Sequence, residues 1–157
     1  MTSSRDAVPN SKIEAIFRSS PFAFKREENG SISANLTSGL TRLDYVLQCS
    51  EEKDGRVYAK LLTPVFAQSI VDPDNFCAHV LTVSAEGCPT LFFDHKKKCF
   101  CWEMEVRAKP KKFRNAVNTL VLNCDVLTGI LKVTVRGDGT WDPAMVELAA
   151  TPLETMH

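Results

Sequence analysis

The chain has 157 residues, 44% of them apolar and 24% charged, which is ordinary for a globular protein and argues against a disordered one. Its 19 lysines and arginines balance its 19 aspartates and glutamates, so it has no overall field to attract nucleic acid or a membrane. No apolar run approaches the ~20 residues of a membrane span, and no leader is visible. We therefore expect a cytoplasmic protein without a membrane partner.

The amino-terminal residues separate into a polar lead-in and a short helix. Residues 1–10 hold almost nothing to bury and are predicted to be disordered. Ser11 and Glu14 have the spacing of a capping box, so the helix is predicted to begin at Ser11. Phe17 lies on its apolar face, and Pro21 ends it because the residue before a proline is pushed out of the α region.

The next part of the chain changes to a period of two. Four segments alternate apolar and polar residues and are predicted as strands: 22–27, 31–36, 42–50 and 56–63. Asn29-Gly30 and Asp54-Gly55 are dipeptides typical of tight hairpin turns. The pattern predicts an antiparallel meander.

A short helix and a second hairpin follow. The helix is predicted from Asp74, with Phe76, Val80 and Leu81 facing inward. The hairpin joins strands 90–94 and 99–106 through a turn rich in lysine. The second strand divides its residues cleanly between an apolar face of Phe100, Trp102, Met104 and Val106 and an opposite face of Cys99, Cys101, Glu103 and Glu105.

The longest helix is predicted over residues 110–131, since proline is favourable at a first helical position. Gly129 weakens its end by ~1 kcal/mol relative to alanine. Apolar residues recur along it at steps of four and three and form a seam: Phe113, Val117, Leu120, Cys124, Leu127 and Leu131. This seam fits core packing and a protein-binding or dimerising surface equally well.

These elements predict an α+β fold, an antiparallel sheet of about five strands flanked by helices in the order α-β-β-β-α-β-β-α. The single domain is expected to cover residues 11–136. Residues 137–157 are expected to form a short carboxy-terminal extension, with a polar turn at Gly137-Asp138-Gly139 and a short helix after Asp142.

The six cysteines are candidates for metal ligands and for nucleophiles. No Cys-x(2–4)-Cys pair suits zinc, and a chain of this kind is expected to keep reduced thiols, so no metal or other cofactor is predicted. His95 is near Cys99 in sequence but is expected to face solvent in the lysine-rich turn. No Gly-x-Ser-x-Gly or phosphate-binding loop is present, so no catalytic residue is predicted and the protein is expected not to be an enzyme.

Basic residues are concentrated around the second hairpin and the start of the long helix. Eight of the nineteen fall within nineteen positions: Lys96, Lys97, Lys98, Arg107, Lys109, Lys111, Lys112 and Arg114. They predict a possible anion-binding patch. The alternative interpretation is a solvated hairpin tip and a charged first helical turn, and the nearby Phe100 and Trp102 alternate as core residues rather than as a stacking platform.

The order of elements resembles the type III secretion chaperone-like fold, which is shared by class I effector chaperones of bacterial secretion systems and by the YbjN family. The resemblance covers about residues 11–131 and is clearest over 74–131. There a short helix is followed by Gly87-Cys88-Pro89, a strand, a turn, a longer alternating strand and a helix.

The resemblance implies a homodimer formed through the second hairpin or the adjoining helix, without cofactor or catalysis. It also implies apolar grooves for an extended segment of a client protein, with strand edges open to added strands. We therefore expect a non-enzymatic, chaperone-like protein-binding module that acts as a homodimer. The alternative is a small nucleic-acid- or anion-binding domain that uses the eight basic residues.

Overall fold

The structure, a computed structural model, describes residues 12–20, 23–63, 70–82 and 89–155. It confirms the α+β class, with six antiparallel strands where about five were expected. The strands are β1 (Phe24–Arg26), β2 (Ile32–Thr37), β3 (Asp44–Glu51), β4 (Arg56–Leu62), β5 (Thr90–Asp94) and β6 (Cys99–Arg107). The helices are α1 (Lys12–Arg18), α2 (Pro73–Thr82), α3 (Pro110–Thr134) and α4 (Pro143–Thr155).

The predicted hairpin turns form as expected. Gly30 and Gly55 adopt φ values of 87° and 86°, a left-handed conformation that glycine enters without steric cost. The side chain of Asp54 accepts a hydrogen bond from the backbone N–H of Arg56 at 3.1 Å and so fixes the second turn. These turns set the register of β1–β2 and β3–β4.

The strand order in the sheet is β1-β2-β3-β4-β6-β5. The first four strands follow one another as a meander. Because α2 separates β4 from β5, the second hairpin returns with β6 beside β4, and β5 lies at the outside. Among the described strands, β1 and β5 are therefore the two edges of the sheet.

One face of this sheet carries the core, and all four helices contribute to it. Alternate residues of the central strands point inward, and Tyr45, Val57 and Trp102 are fully buried. Phe76 of α2 and Phe17 of α1 belong to the same apolar cluster. The face division predicted for the second hairpin is thus confirmed, since Phe100 and Trp102 lie in the core while Glu103 and Glu105 are exposed.

Helix α1 is joined to the sheet by an ion pair. Its Glu14, the residue expected to cap the helix, accepts hydrogen bonds from Arg26 of β1 and from Arg18 one turn further on. These interactions lower the pKa of Glu14, chiefly through the hydrogen bond from Arg26. Ser11, the expected partner in the capping box, lies outside the described residues, as does the segment 1–10.

Helix α3 begins at Pro110 as predicted and runs to Thr134, three residues beyond the expected end. The chain then becomes extended at Val135, whose N–H still donates to the carbonyl oxygen of Leu131 at 3.1 Å. The extra residues continue the inward-facing pattern, because Thr134 is buried and its hydroxyl group donates to the carbonyl oxygen of Ile130.

The segment expected to be a terminal extension contributes helix α4. Val146 and Ala150 are fully buried in the same core as the sheet. The preceding Trp141 donates its indole N–H to the carbonyl oxygen of Val71 at 2.6 Å, and the N–H of Val71 donates to the carbonyl oxygen of Gly139 at 2.9 Å. The core therefore extends well past residue 136.

Candidate functional site on the helix-free face of the sheet

The face of the sheet opposite the core is covered by none of the four described helices. One line of directly paired residues crosses it through all six strands, and we call it the polar row: Lys25, Ser33, Gln48, Lys60, Glu103 and Thr90. Neighbouring strands are about 4.8 Å apart, so the row is about 24 Å long. Its members are exposed or half-buried.

Two further lines of paired residues flank the polar row. On one side Ser50, Tyr58 and Glu105 lie next to one another, and Tyr58 is 39% exposed. On the other side the line is mostly apolar: Val46 is exposed and Phe92 is half-buried, whereas Leu62 and Cys101 are buried in a small cluster with Cys99. Neighbouring lines on this face are two residues apart along each strand, or about 7 Å, which is also the spacing of side chains on one side of an extended peptide.

Arg56 and Glu105 fix the environment of Tyr58. The guanidinium group of Arg56 lies over the phenol ring, 5.9 Å from its centre, and also pairs with Glu105 at 3.5 Å. A hydrogen bond to the carboxylate of Glu105 raises the pKa of Tyr58, because that bond is made by the protonated phenol.

The face is concave around these residues. A shallow depression of about 320 Å³ is lined by Asn29, Ser31, Gln48, Ser50, Tyr58, Lys60 and Glu103. Its hydroxyl and amide groups can both donate and accept hydrogen bonds, and Lys60 and Glu103 supply one charge of each sign. Among the described residues, no group of three or more histidines, cysteines and carboxylates is placed to hold a metal ion.

A second polar feature is buried where α3 meets the loop between β2 and β3. Asp125 of α3 accepts hydrogen bonds from Ser38 at 2.8 Å, from Thr41 at 3.0 Å and from Tyr45 at 2.5 Å. Three hydroxyl donors compensate the burial of this carboxylate, which is 8% exposed. The cluster fastens the helix to the sheet and offers no surface to a ligand.

The seam predicted on α3 lies against the sheet. Of its six side chains, Val117 is half-buried. The other five are buried within the single chain: Phe113, Leu120, Cys124, Leu127 and Leu131. These residues therefore build the core, which is one of the two interpretations of the seam. A partner of the folded chain would meet the opposite side of α3.

The eight basic residues do not form one patch. Lys96, Lys97 and Lys98 lie in the turn before β6, whereas the other five begin at its last residue: Arg107, Lys109, Lys111, Lys112 and Arg114. Strand β6 has nine residues, so the two groups are separated by about 30 Å along the strand. The two groups are close in sequence because a single strand, β6, joins them, but the chain runs the full length of that strand between them.

The five described cysteines are free, buried thiols: Cys49, Cys77, Cys99, Cys101 and Cys124. Burial raises the pKa of Cys49, Cys77 and Cys101 to about 12, and it also raises the pKa of Cys99 and Cys124. Such thiols stay protonated at neutral pH and are poor nucleophiles. Cys88 lies outside the described residues.

The two described histidines pair with carboxylates rather than with thiols. Nδ1 of His79 lies 2.7 Å from Glu147 and so joins α2 to α4. Nε2 of His95 lies 2.9 Å from Asp74, and both of these side chains are largely exposed, as the sequence predicted for His95. His79 and His95 thus have partners suited to holding elements together.

Helix α3 is long and apolar enough to cross a membrane by length and composition alone, but half of its most apolar stretch is buried inside the protein. That burial is typical of a core helix. No family model, curated protein or solved structure matches the chain. The likeness to the secretion chaperone-like fold therefore rests on the order of elements and stays a prediction.

Proposed function

We propose that this protein is a non-enzymatic, chaperone-like binding module that holds an extended segment of a client protein and acts as a homodimer. The observation that carries the proposal is the helix-free face of the sheet. It is a broad surface about 24 Å across, lined by the polar row and bordered by two edge strands.

The chemistry of this face suits a peptide. Ser33, Gln48 and Thr90 can satisfy backbone N–H and C=O groups, while Tyr58 and Val46 offer apolar surface to side chains. The depression is shallow and open, whereas a small-molecule site encloses most of its ligand. An extended segment gains affinity from many weak contacts spread over such a surface.

The edges of the sheet offer a second mode of contact. A peptide that adds a strand to β1 or β5 would form main-chain hydrogen bonds with the edge and place alternate side chains on the helix-free face. The five residues of β5 allow a short, specific addition. The face and the edges thus support the same kind of occupant.

The thiols support a non-catalytic role. Each described cysteine has a raised pKa because it is buried. A cysteine nucleophile requires a lowered pKa and an adjacent base. The anion-binding alternative is less favoured, because the basic residues divide into two groups about 30 Å apart.

A pair of matched serine variants tests the proposal. Ser50→Arg places a bulky cation on the helix-free face, and Ser19→Arg makes the same change at an exposed site after α1. Partners captured from the native source are purified, and their affinity is measured for the wild type and both variants. We expect Ser50→Arg to weaken binding at least tenfold and Ser19→Arg to leave it unchanged; equal affinities would refute the proposed surface.

A further inference from the structure

The side of α3 that points away from the sheet carries a line of apolar residues at steps of four, three and four. We call it the outer stripe, and it consists of Leu122, Val126, Gly129 and Val133. Leu122 is 49% exposed and Val133 is 69% exposed. From residue 115 to 131 the only charged residue is Asp125, and its carboxylate is turned inward to three hydroxyl groups. Surface helices normally present charged or polar side chains to water.

We propose that two copies of this chain pair through the outer stripe, with their α3 helices antiparallel. The inference rests on the homodimer in the proposed function and names its surface. Helix α4 packs against α3 and also carries two exposed apolar side chains, Met145 and Leu148. An uncharged, apolar stripe meets its own copy without placing like charges together.

Gly129 points to a close approach by a partner. It is exposed within a helix, where glycine is less stable than alanine. A Cβ atom at this position would meet nothing within 4 Å in the part of the chain that the structure describes. Packing inside the chain therefore gives no reason for a glycine, whereas a second helix lying close to α3 does.

The spacing of the stripe is complementary to itself in the antiparallel orientation. A twofold axis midway between Val126 and Gly129 places Leu122 of one copy opposite Val133 of the other. The same axis places the side chain of Val126 opposite Gly129, where the missing side chain leaves room for it. The side chain of Val126 in each copy thus faces the glycine of the other copy.

The test measures the mass of the intact chain in solution by size-exclusion chromatography with light scattering. Gly129→Leu adds an exposed apolar side chain. It would strengthen non-specific hydrophobic association of two chains, but it would obstruct the close approach of two antiparallel α3 helices. Leu40→Arg is the matched control, because Leu40 is 78% exposed in the loop between β2 and β3. Leu122→Arg removes the stripe directly, and circular dichroism verifies that each variant is folded.

We expect a wild-type dimer with twice the 17.4 kDa chain mass, a dimer for Leu40→Arg, and at least tenfold weaker pairing for Gly129→Leu and Leu122→Arg. A wild-type monomer at micromolar concentration overturns the inference. A dimer that survives both stripe variants overturns the surface while leaving the homodimer intact. Client binding by a monomeric variant shows separately that the binding function of the helix-free face holds.

Discussion

The hydroxyl group of Tyr45 donates a hydrogen bond to the carboxylate of Asp125 at 2.5 Å, although the two residues are 80 positions apart in the chain. The bond joins β3 to α3, and Ser38 and Thr41 complete the shell around the same carboxylate. Asp125 therefore helps the apolar seam to fix the position of α3 on the sheet, and with it the direction of the outer stripe.

Removing that carboxylate should destabilise the fold. Asp125→Ala leaves three hydroxyl groups without their acceptor, and we expect the free energy of unfolding to fall by about 2–4 kcal/mol. Asp44→Ala is the control, since Asp44 is an exposed carboxylate that accepts only from Thr37 in the described hydrogen bonds, and it should cost no more than about 0.5 kcal/mol. Urea unfolding measures both, and equal losses would contradict the anchoring role.

The same contact predicts a loss of stability in alkali. Burial, followed by the hydrogen bond to Asp125, raises the pKa of Tyr45 to about 12, against about 10 in the unfolded chain. The stability that this raised pKa of Tyr45 gives the folded protein is fully present below pH 10. It is lost as the pH rises towards 12, because the tyrosine of the unfolded chain releases its proton at a lower pH than that of the folded chain. The stability difference between wild type and Tyr45→Phe should therefore shrink over this range. Urea unfolding at a series of pH values tests this, and a constant difference up to pH 11 would count against it.

The buried thiols predict slow alkylation of the native protein. In a Cys88→Ser background, the five described cysteines should react with iodoacetamide near neutral pH at least about tenfold more slowly than in the urea-unfolded chain. Mass spectrometry of the modified peptides assigns the rates. A cysteine that reacts faster in the folded chain than in the unfolded chain would instead indicate an activated nucleophile and would favour an enzymatic function.

The division of the basic residues predicts independent effects of reversing their charges. Lys97→Glu lies at one end of β6, and Lys111→Glu with Lys112→Glu lies beyond the other. We expect weak binding to generic DNA or RNA even at low salt, with neither change reducing the effect of the other. Fluorescence anisotropy tests this. Tight, salt-dependent binding lost on reversing either group would favour the nucleic-acid alternative.

Much of the fold follows from the sequence because its signals are local. The alternation in β6 separates Trp102 from Glu103, and Asn29-Gly30 and Asp54-Gly55 mark turns that form as expected. The steps of four and three along α3 predict which of its sides is apolar. Each of these patterns depends on residues a few positions apart, which is why one chain suffices to detect them.

The candidate site needed information that the sequence does not carry. Alternation shows that Gln48 and Lys60 share a face, but only the register shows that they are neighbours in a row through six strands. The basic residues divide into two groups for the converse reason, since residues close in sequence can lie at opposite ends of a strand. Asp125 gave one detectable signal, as the only acidic residue of a long apolar helix.

A photo-cross-linking residue at Tyr58 tests the central claim most directly, because Tyr58 lies exposed on the helix-free face. The same residue placed at Leu40 serves as the control, since that side chain is 78% exposed in the loop between β2 and β3. With a purified client, we predict cross-links from position 58 and none from position 40. Cross-links from position 40 alone would contradict the assignment of the helix-free face as the client-binding surface.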